Sequence, residues 1–503
     1  MFCRVHMKQN IENYLTKKMK KPLILFMILM NSLGYTQESF LSFINTPSDL
    51  LVKDVLALSD CYYVVGNKIE NEENTYGFIY KIETNGNVND SLFLDDVLEN
   101  STCSKGFQLS NNTTRIFGTK EKSDMPGFYE CFLIDIDSEM NIINEIVFDL
   151  GIGKYWEHLN IVANVNNDLV IASMVDGSPP QTGLQYIDKM LIIVSQEGEL
   201  LFDSIYNQSA FEVTMDFIKY PNSNNYILYC IKSFEEGNTL KQINILDTNF
   251  NLIENYHIED YSSQASISCI NNEYFLICNK GDFGDNDSWY TSVSKYDFSF
   301  NKLDQVYFGS VDTASYPALN NSIAYSNDKV FIGSTYNTQA TAFPIYNSFV
   351  RIESLNNDLN LNFQRFYGGD AYYELIDIEF TIDGGCVLSG NKYSNGENGP
   401  FERDIFILKV DENGLVTSTI DEQNFRVKNA IITPNPGKDY LQLHTGISHA
   451  KLQLHSINGH MAMEKKVNIN TTTINTQSLK SGTYIWSLLK DGQIIEKGKW
   501  IKE

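Results

Sequence analysis

One short pattern recurs seven times along this chain and constrains its fold more than any other feature. It consists of a polar Asn/Asp/Gly turn, an apolar β-prone triplet and usually a small residue, and a repeat of this kind must be read before anything else. The copies read SDCYYVVGN (59–67), NNTTRIFGT (111–119), NNDLVIAS (166–173), NSNNYILYC (222–230), NNEYFLICN (271–279), SNDKVFIGS (326–334) and DGGCVLSGN (383–391). Their reference positions, 66, 118, 172, 229, 278, 333 and 390, lie 49–57 residues apart. Further on, each unit carries two more strand-like runs around a tight turn, as in GFIYKIETNGNVNDSLFL and DIFILKVDENGLVTSTI. Alternating apolar residues interrupted by Asn, Asp, Gly or Ser are a hairpin signal. With the strand before the first turn, DVLALSD for example, each unit holds four strands, and about 50 residues is the size of a kelch-type propeller blade.

A single four-stranded sheet cannot bury both of its faces, whereas blades packed radially can, and a closed ring leaves few open edges. The alternating segment ESFLSFI, 38–44, is placed to close such a ring as an outer strand of the last blade. A solenoid normally uses shorter coils, and two sandwiches would give no reason for a sevenfold recurrence. The expectation is an all-β chain with a seven-bladed β-propeller over residues 37–427. The last unit, DGGCVLSG…RDIFILKVDENGLV, resembles a repeat of many secreted bacterial β-propellers. That resemblance implies a fold and no activity.

The N-terminus has the order of a secretory leader. Lys17, Lys18, Lys20 and Lys21 precede the apolar run 22–30, PLILFMILM, and the polar stretch NSLGYTQ follows it. The run is too short to span a bilayer. Gly34 and Thr36 fit a small-residue cleavage site, so residues 1–36 are expected to be a signal peptide, with Gln37 first in the mature chain. Met19 begins a complete leader by itself, and the competing reading is an uncleaved anchor or a buried core helix. No later stretch is long and apolar enough for a transmembrane helix.

Charge changes sign near residue 427. Residues 37–427 hold 22 Lys and Arg against 57 acids, whereas residues 428–503 hold ten Lys against five acids. The tail also has four of the seven histidines and reads as short strands joined by turns, with Leu441/Leu443 and Leu452/Leu454 alternating. That pattern predicts a small Ig-like β-sandwich over 428–503. Deleting the tail is expected to leave a folded ring, because the repeats end before it. The tail resembles the type A C-terminal sorting domain of the Bacteroidetes type IX secretion system. The matching elements are Pro434-Asn435-Pro436 before a Leu-x-Leu strand, the Asn458-Gly459 turn, Ser481-Gly482-Thr483-Tyr484, and a Lys-rich last strand. In LQLHSINGH the chain departs from the family, which more often has an aromatic residue and an Asp ahead of the turn. The resemblance implies an address with no catalytic role, read by the type IX machinery through elements that include Pro434, Asn435, Pro436, Gly459, Gly482 and Tyr484. It also implies a secreted or surface-attached destination.

Catalytic signals are scarce. A net charge of −25 disfavours a nucleic-acid partner. There is no GxSxG, HExxH, Walker A or dinucleotide fingerprint. The repeat region has two histidines, His158 and His257. Seven cysteines follow the leader, an odd number without CxxC pairs, which points to core filler rather than a disulfide or zinc framework. No cofactor is expected. Asp282, Asp285 and Asp287 in GDFGDNDSW could hold calcium, the alternative being a solvated loop. The longer second-to-third loops of the blades carry Tyr76, Phe128, Tyr129, Tyr186, Trp289, Tyr290, Phe343, Tyr346, Tyr393 and Phe401. Loops on a rigid scaffold and Tyr or Trp side chains are where binding concentrates, so this face is expected to take a protein or carbohydrate ligand. The tight-turn end is expected to be too uniform for a pocket. The alternative function is polysaccharide hydrolysis or lysis by paired carboxylates.

Overall fold

The computed structural model describes residues 38–70, 74–95, 98, 100–109, 112–148, 155–163, 168–176, 187–195, 197–206, 211–233, 239–258, 265–282, 289–310, 313–326, 329–338, 347–394, 402–416 and 428–503. Every regular element among them is a β-strand. The expected leader lies outside the described residues.

Each repeat becomes one antiparallel sheet. The first holds Asp49–Ala57, Cys61–Glu70, Asn74–Glu83 and Val88–Phe93, and the second Ser101–Gln108, Thr114–Lys122, Met125–Ile136 and Ile142–Phe148. The third holds Tyr155–Ala163, Leu169–Asp176, Ile187–Val194 and Leu200–Tyr206, and the fourth Phe211–Lys219, Tyr226–Ser233, Thr239–Leu246 and Leu252–Ile258. The fifth holds Ala265–Ile270, Tyr274–Asp282, Trp289–Tyr296 and Lys302–Phe308. In the sixth, two short pieces, Ala314–Pro317 and Ile323–Ser326, share the inner position before Lys329–Thr338, Phe349–Leu355 and Leu361–Gly368. The seventh holds Tyr372–Phe380, Cys386–Ser394 and Glu402–Val410, and its outer strand is Phe40–Ile44 from the other end of the chain, with Phe40 opposite Lys409 and Ile44 opposite Ile405. The first strand of each sheet touches the first strand of the next, and that of the seventh touches that of the first, so the sheets close a β-propeller-like ring. A shared apolar cluster seals the closure, with Phe40, Val52 and Val55 against Ile376, Val387 and Ile405.

The small residue of the repeat has a physical cause. Gly66, Gly118 and Gly390 stand opposite Phe78, Phe132 and Phe406 of the neighbouring strand. A Cβ at Gly66 would come within 2.2 Å of Leu51 O and 2.4 Å of the Phe78 ring. The bare backbone lets the ring lie across the strand and pack into the preceding sheet.

The innermost strands join by a second device. The strands of the first, second, fourth and seventh sheets each carry a bulge before Asp54, Lys105, Asp216 and Asp377, respectively. A bulge withdraws backbone N–H groups from the ladder, and a buried N–H must find another acceptor. On one side of the bulge the preceding sheet supplies a second-strand side chain. Cys103 N–H donates to Asn67 Oδ1 at 2.7 Å, Val52 N–H to Asn391 Oδ1 at 3.0 Å and Leu375 N–H to Thr335 Oγ1 at 2.9 Å. On the other side the preceding inner strand supplies a carboxylate. Gly106 N–H donates to Asp54 at 2.8 Å, Ile267 N–H to Asp216 at 2.7 Å and Val55 N–H to Asp377 at 3.2 Å. Ser266 takes the same part toward Ser322 N–H at 3.1 Å.

The tail forms two sheets around one core of its own. Ala430–Thr433, Tyr440–Thr445 and Asn470–Asn475 make one sheet, and Met461–Val467, Ala450–Ser456, Gly482–Lys490 and Gln493–Lys502 make the other. Leu441, Leu443, Leu452, Leu454, Trp486 and Trp500 fill the space between them. The core is separate but the surface is not. Phe366 and Lys428 exchange both backbone hydrogen bonds, so the start of the tail extends the outer edge of the sixth sheet. Phe366, Tyr336 and Ile431 form one buried cluster across the junction.

Candidate functional site

At the end of the ring where the inner strands begin, a string of aromatic and charged side chains runs across the fifth, sixth and seventh sheets. Trp289 opens the third strand of the fifth sheet. The Lys280 ammonium sits over its ring at 3.4 Å, and the Tyr316 ring meets it edge-on at 6.2 Å. Tyr316 and Tyr372 share a hydroxyl–hydroxyl hydrogen bond of 2.8 Å, and Tyr372 stands edge-on to Tyr393 at 5.4 Å. Tyr393 Oη donates to Glu374 at 2.9 Å. Arg403, at the start of the next strand, donates from Nε to Asp49 of the first sheet at 2.6 Å. Burial, opposed by the Tyr393 hydroxyl, raises the Glu374 carboxyl above its ordinary range, and burial holds the Tyr316 and Tyr393 phenols well above theirs. The result is a packed rim in which Tyr316, Tyr372 and Tyr393 are 9%, 4% and 5% exposed and hold the half-buried Trp289 indole and Glu374 carboxyl in place. A fixed indole stacks on flat apolar faces, and a carboxyl beside it hydrogen-bonds to hydroxyl or amide groups.

The expected binding residues are placed as follows. Tyr76, Tyr129, Trp289 and Tyr290 are half-buried within strands near their loop ends rather than on the loops. Tyr290 packs edge-on to Tyr307 at 5.1 Å, beside Gly281. Tyr393 is the penultimate residue of its strand and only 5 % exposed, so it belongs to the packed base of the rim. Phe128 lies in the strand Met125–Ile136, but its side chain is outside the described residues. Tyr186, Phe343, Tyr346 and Phe401 lie wholly outside them, as do Asp285 and Asp287 and the side chain of Asp282. Calcium binding therefore stays an expectation. The His158 side chain is likewise outside the described residues, and His257 is exposed on an outer strand. No disulfide joins the seven described cysteines, of which six are buried and Cys269 is half-buried.

Deeper in the ring lies a group that was not anticipated. Lys105 Nζ is 2.6 Å from Asp54 and 3.9 Å from Asp377. Burial raises Asp377 well above the carboxylate range, Glu379 to about 7 and Asp216 to about 6. Shifted carboxyls often mark catalysis. Here, however, the oxygens of Asp54, Asp216 and Asp377 already accept backbone N–H groups, Asp54 Oδ1 excepted, which takes Lys105. These residues position strands. A sequence signal was available: a polar residue stands six positions before the turn Asn or Asp in every repeat, at Asp54, Lys105, Asn160, Asp216, Ser266, Asn321 and Asp377.

The opposite end is not featureless. A groove of about 440 Å³ opens among the turns of the fourth, fifth and sixth sheets, lined by Tyr220, Pro221, Asn222, Cys269, Asn272 and Tyr325. The expectation of a uniform turn face fails there because Pro221 and Tyr220 widen one turn.

In the tail, the Pro434-Asn435-Pro436 segment fastens the last strand. Trp500 Nε1–H donates to Pro434 O at 2.9 Å, Asn435 Nδ2–H to Lys499 O at 2.8 Å, and Ile501 N–H to Asn435 Oδ1 at 2.9 Å. Gly459 has φ +82° and nothing within 4 Å of where a Cβ would stand, so the turn needs its backbone freedom and not its smallness. Gly482, with φ +150°, opens the strand whose Tyr484 hydroxyl donates to Lys480 O at 2.8 Å. Residues 432–503 match the family described as the secretion system C-terminal sorting domain. This is an exported chain. The sorting domain indicates type IX handling and a secreted or cell-surface location.

No curated protein sequence matches the chain. Among solved structures it is similar to the β-propeller domain of the Trilobed protease from Pyrococcus furiosus, at 11% identity over 74% of this chain and 99% of that one, with a TM-score of 0.41. It is also similar to Pyrococcus horikoshii acylaminoacyl peptidase, at 9% identity over 79% and 58%, TM-score 0.43. A third similarity is to Drosophila Plexin A in complex with Semaphorin 1b, at 7% identity over 74% and 87%, TM-score 0.42.

Proposed function

We propose that residues 37–427 are a seven-bladed β-propeller that binds a carbohydrate or protein ligand at its loop end, outside a Bacteroidetes-type cell. Residues 1–36 serve as its leader and 428–503, an Ig-like module, as its type IX address. The observation that supports this reading is the rim from Trp289 through Tyr316, Tyr372 and Tyr393 to Glu374, which crosses three sheets at the end the second-to-third loops share. Aromatic residues held by a rigid scaffold present contact area at low entropic cost. The rival reading, a polysaccharide hydrolase or lyase, needs free carboxylates. The carboxylates of Asp54, Asp216 and Asp377 are engaged with the backbone of neighbouring strands.

The test is a glycan and peptide array probed with the mature chain, beside a Trp289→Ala variant. A ligand whose affinity falls by about 1–3 kcal/mol in the variant, with thermal stability unchanged, agrees with the proposal. A ligand indifferent to Trp289 but sensitive to Tyr220 or Tyr325 would move the site to the turn end. Ligand turnover would replace binding with catalysis.

A further inference from the structure

A strand pattern normally gives a small sandwich one buried and one wetted face per sheet. The tail obeys this in its four-stranded sheet, where Lys451, Lys466 and Ile485 face outward and are exposed. Its three-stranded sheet does not. Ala430, Ile432, Leu441 and Leu443 point into the tail core, so Ile431, Thr433, Gln442 and His444 point away from it, yet these are only 4%, 6%, 5% and 3% exposed. The ring covers them. Thr313 and Thr433 share a hydroxyl–hydroxyl hydrogen bond of 3.0 Å, and Ser310 Oγ donates to Gln442 Oε1 at 2.9 Å. The His444 ring stands edge-on to Tyr336 at 5.2 Å, and Ile431 packs on Phe366 and Tyr336. A Cβ on Gly446 would lie 2.8 Å from the backbone nitrogen of Gln364. Beside Tyr336 and His444 the space left between the two surfaces is about 20 Å³, while a cleft of about 430 Å³ opens along the junction past Phe349, Lys428 and Ile431.

We propose that the outer edge of the sixth sheet is a receptor for the tail, and that residues 428–503 stay bound to the ring without the covalent connection. The seam has the three marks of a specific interface: an apolar centre (Ile431, Phe366, Tyr336), paired hydroxyl and amide groups around it, and backbone pairing between Phe366 and Lys428. The sorting domain is thus a docked ligand of its own cargo. In the folded protein its four-stranded sheet, the Asn435-Pro436 segment and the Thr473 edge stay open to a reader.

The experiment inserts a cleavage sequence for a specific protease into the segment 417–427 of the mature chain, cuts it, and follows gel filtration at neutral pH and about 1 µM. The cut wild type should elute as one species containing both fragments. Cutting Ile431→Asp, changed on the tail side, or Thr313→Glu, changed on the ring side, should give two species, with affinity lowered at least about 100-fold. Circular dichroism and thermal melting of the uncut variants check that both remain folded. Separation of the wild-type fragments at this concentration overturns the proposal, and so does co-elution of either variant with wild-type affinity.

Discussion

His444 makes the seam pH-dependent, with a sign and a size that follow from its surroundings. One ring nitrogen is 2.7 Å from Thr433 Oγ1 and the other 3.0 Å from Thr471 Oγ1, so the imidazole is fully engaged while neutral. Across the seam it faces the Tyr336 ring and Arg351, whose guanidinium pairs with the buried Glu353. Burial, and then Arg351, pull the imidazole from 6.5 to about 3. The undocked tail, with His444 in water, therefore holds more protons than the docked tail between pH 6.5 and 3. Docking is fully present above pH 6.5 and is lost as the pH falls. At pH 5 the difference is about 1.5 pH units at 1.36 kcal/mol each, or roughly 2 kcal/mol and a 30-fold weaker seam. The Phe366 amide reports it in the intact chain, because its N–H donates to Lys428 O across the junction. Its hydrogen-exchange protection, corrected for the intrinsic rate, should drop about 30-fold between pH 7.5 and 5. In His444→Gln, whose amide can still serve both threonines but cannot titrate, protection should be nearly flat. Equal pH profiles in the two proteins would refute the reasoning.

The ring itself should respond in the opposite sense. Glu379 at about 7 and Asp216 at about 6 lie above their ordinary values, so the folded ring takes up protons first and gains stability as the pH falls from about 7.5 toward 5. Glu379→Gln should remove the part of that gain above about pH 6 in urea titrations and leave the Asp216 part. Asn67→Ala leaves the Cys103 N–H without its acceptor and should cost about 1–3 kcal/mol in urea unfolding, as should Asn391→Ala through Val52. Gly390→Ala forces a methyl to 2.1 Å from Glu374 O and should cost about 1–3 kcal/mol or more by the same assay.

Much of the ring is legible because its repeat is set by sterics. Gly66, Gly118 and Gly390 recur because Phe78, Phe132 and Phe406 lie across them, and Asn67 and Asn391 recur because a bulged neighbour needs an acceptor. The inner clasps were harder to see. Asp54, Lys105, Asn160, Asp216, Ser266, Asn321 and Asp377 share a position but not a chemistry, and no motif built on residue type finds them. Asp54, Asp216, Ser266, Asn321 and Asp377 reach the next inner strand and Lys105 reaches back to Asp54, so what unites them is register. The candidate rim was half legible. Some of its aromatics can be listed from the loops, but Tyr316 and Tyr372, which link Trp289 to Tyr393, lie in inner strands and look like ordinary core residues.

The tail shows why alternation alone misleads at a junction. The run Tyr440-Leu441-Gln442-Leu443-His444-Thr445 alternates as a strand with one wet face would, and Gln442 and His444 are the residue types water ordinarily receives. Burying them is unfavourable unless each polar atom finds a partner. Here Ser310 meets Gln442, while Thr433 and Thr471 meet His444. Two of those three partners belong to the tail itself, so the imidazole is presented already hydrogen-bonded and the ring has only to cover it. A hydrophobic patch in the same place would bind the ring regardless of pH and would invite other partners wherever the tail was undocked. Around the apolar centre of Ile431, Phe366 and Tyr336, these polar groups are satisfied in the docked state and can be hydrated outside it.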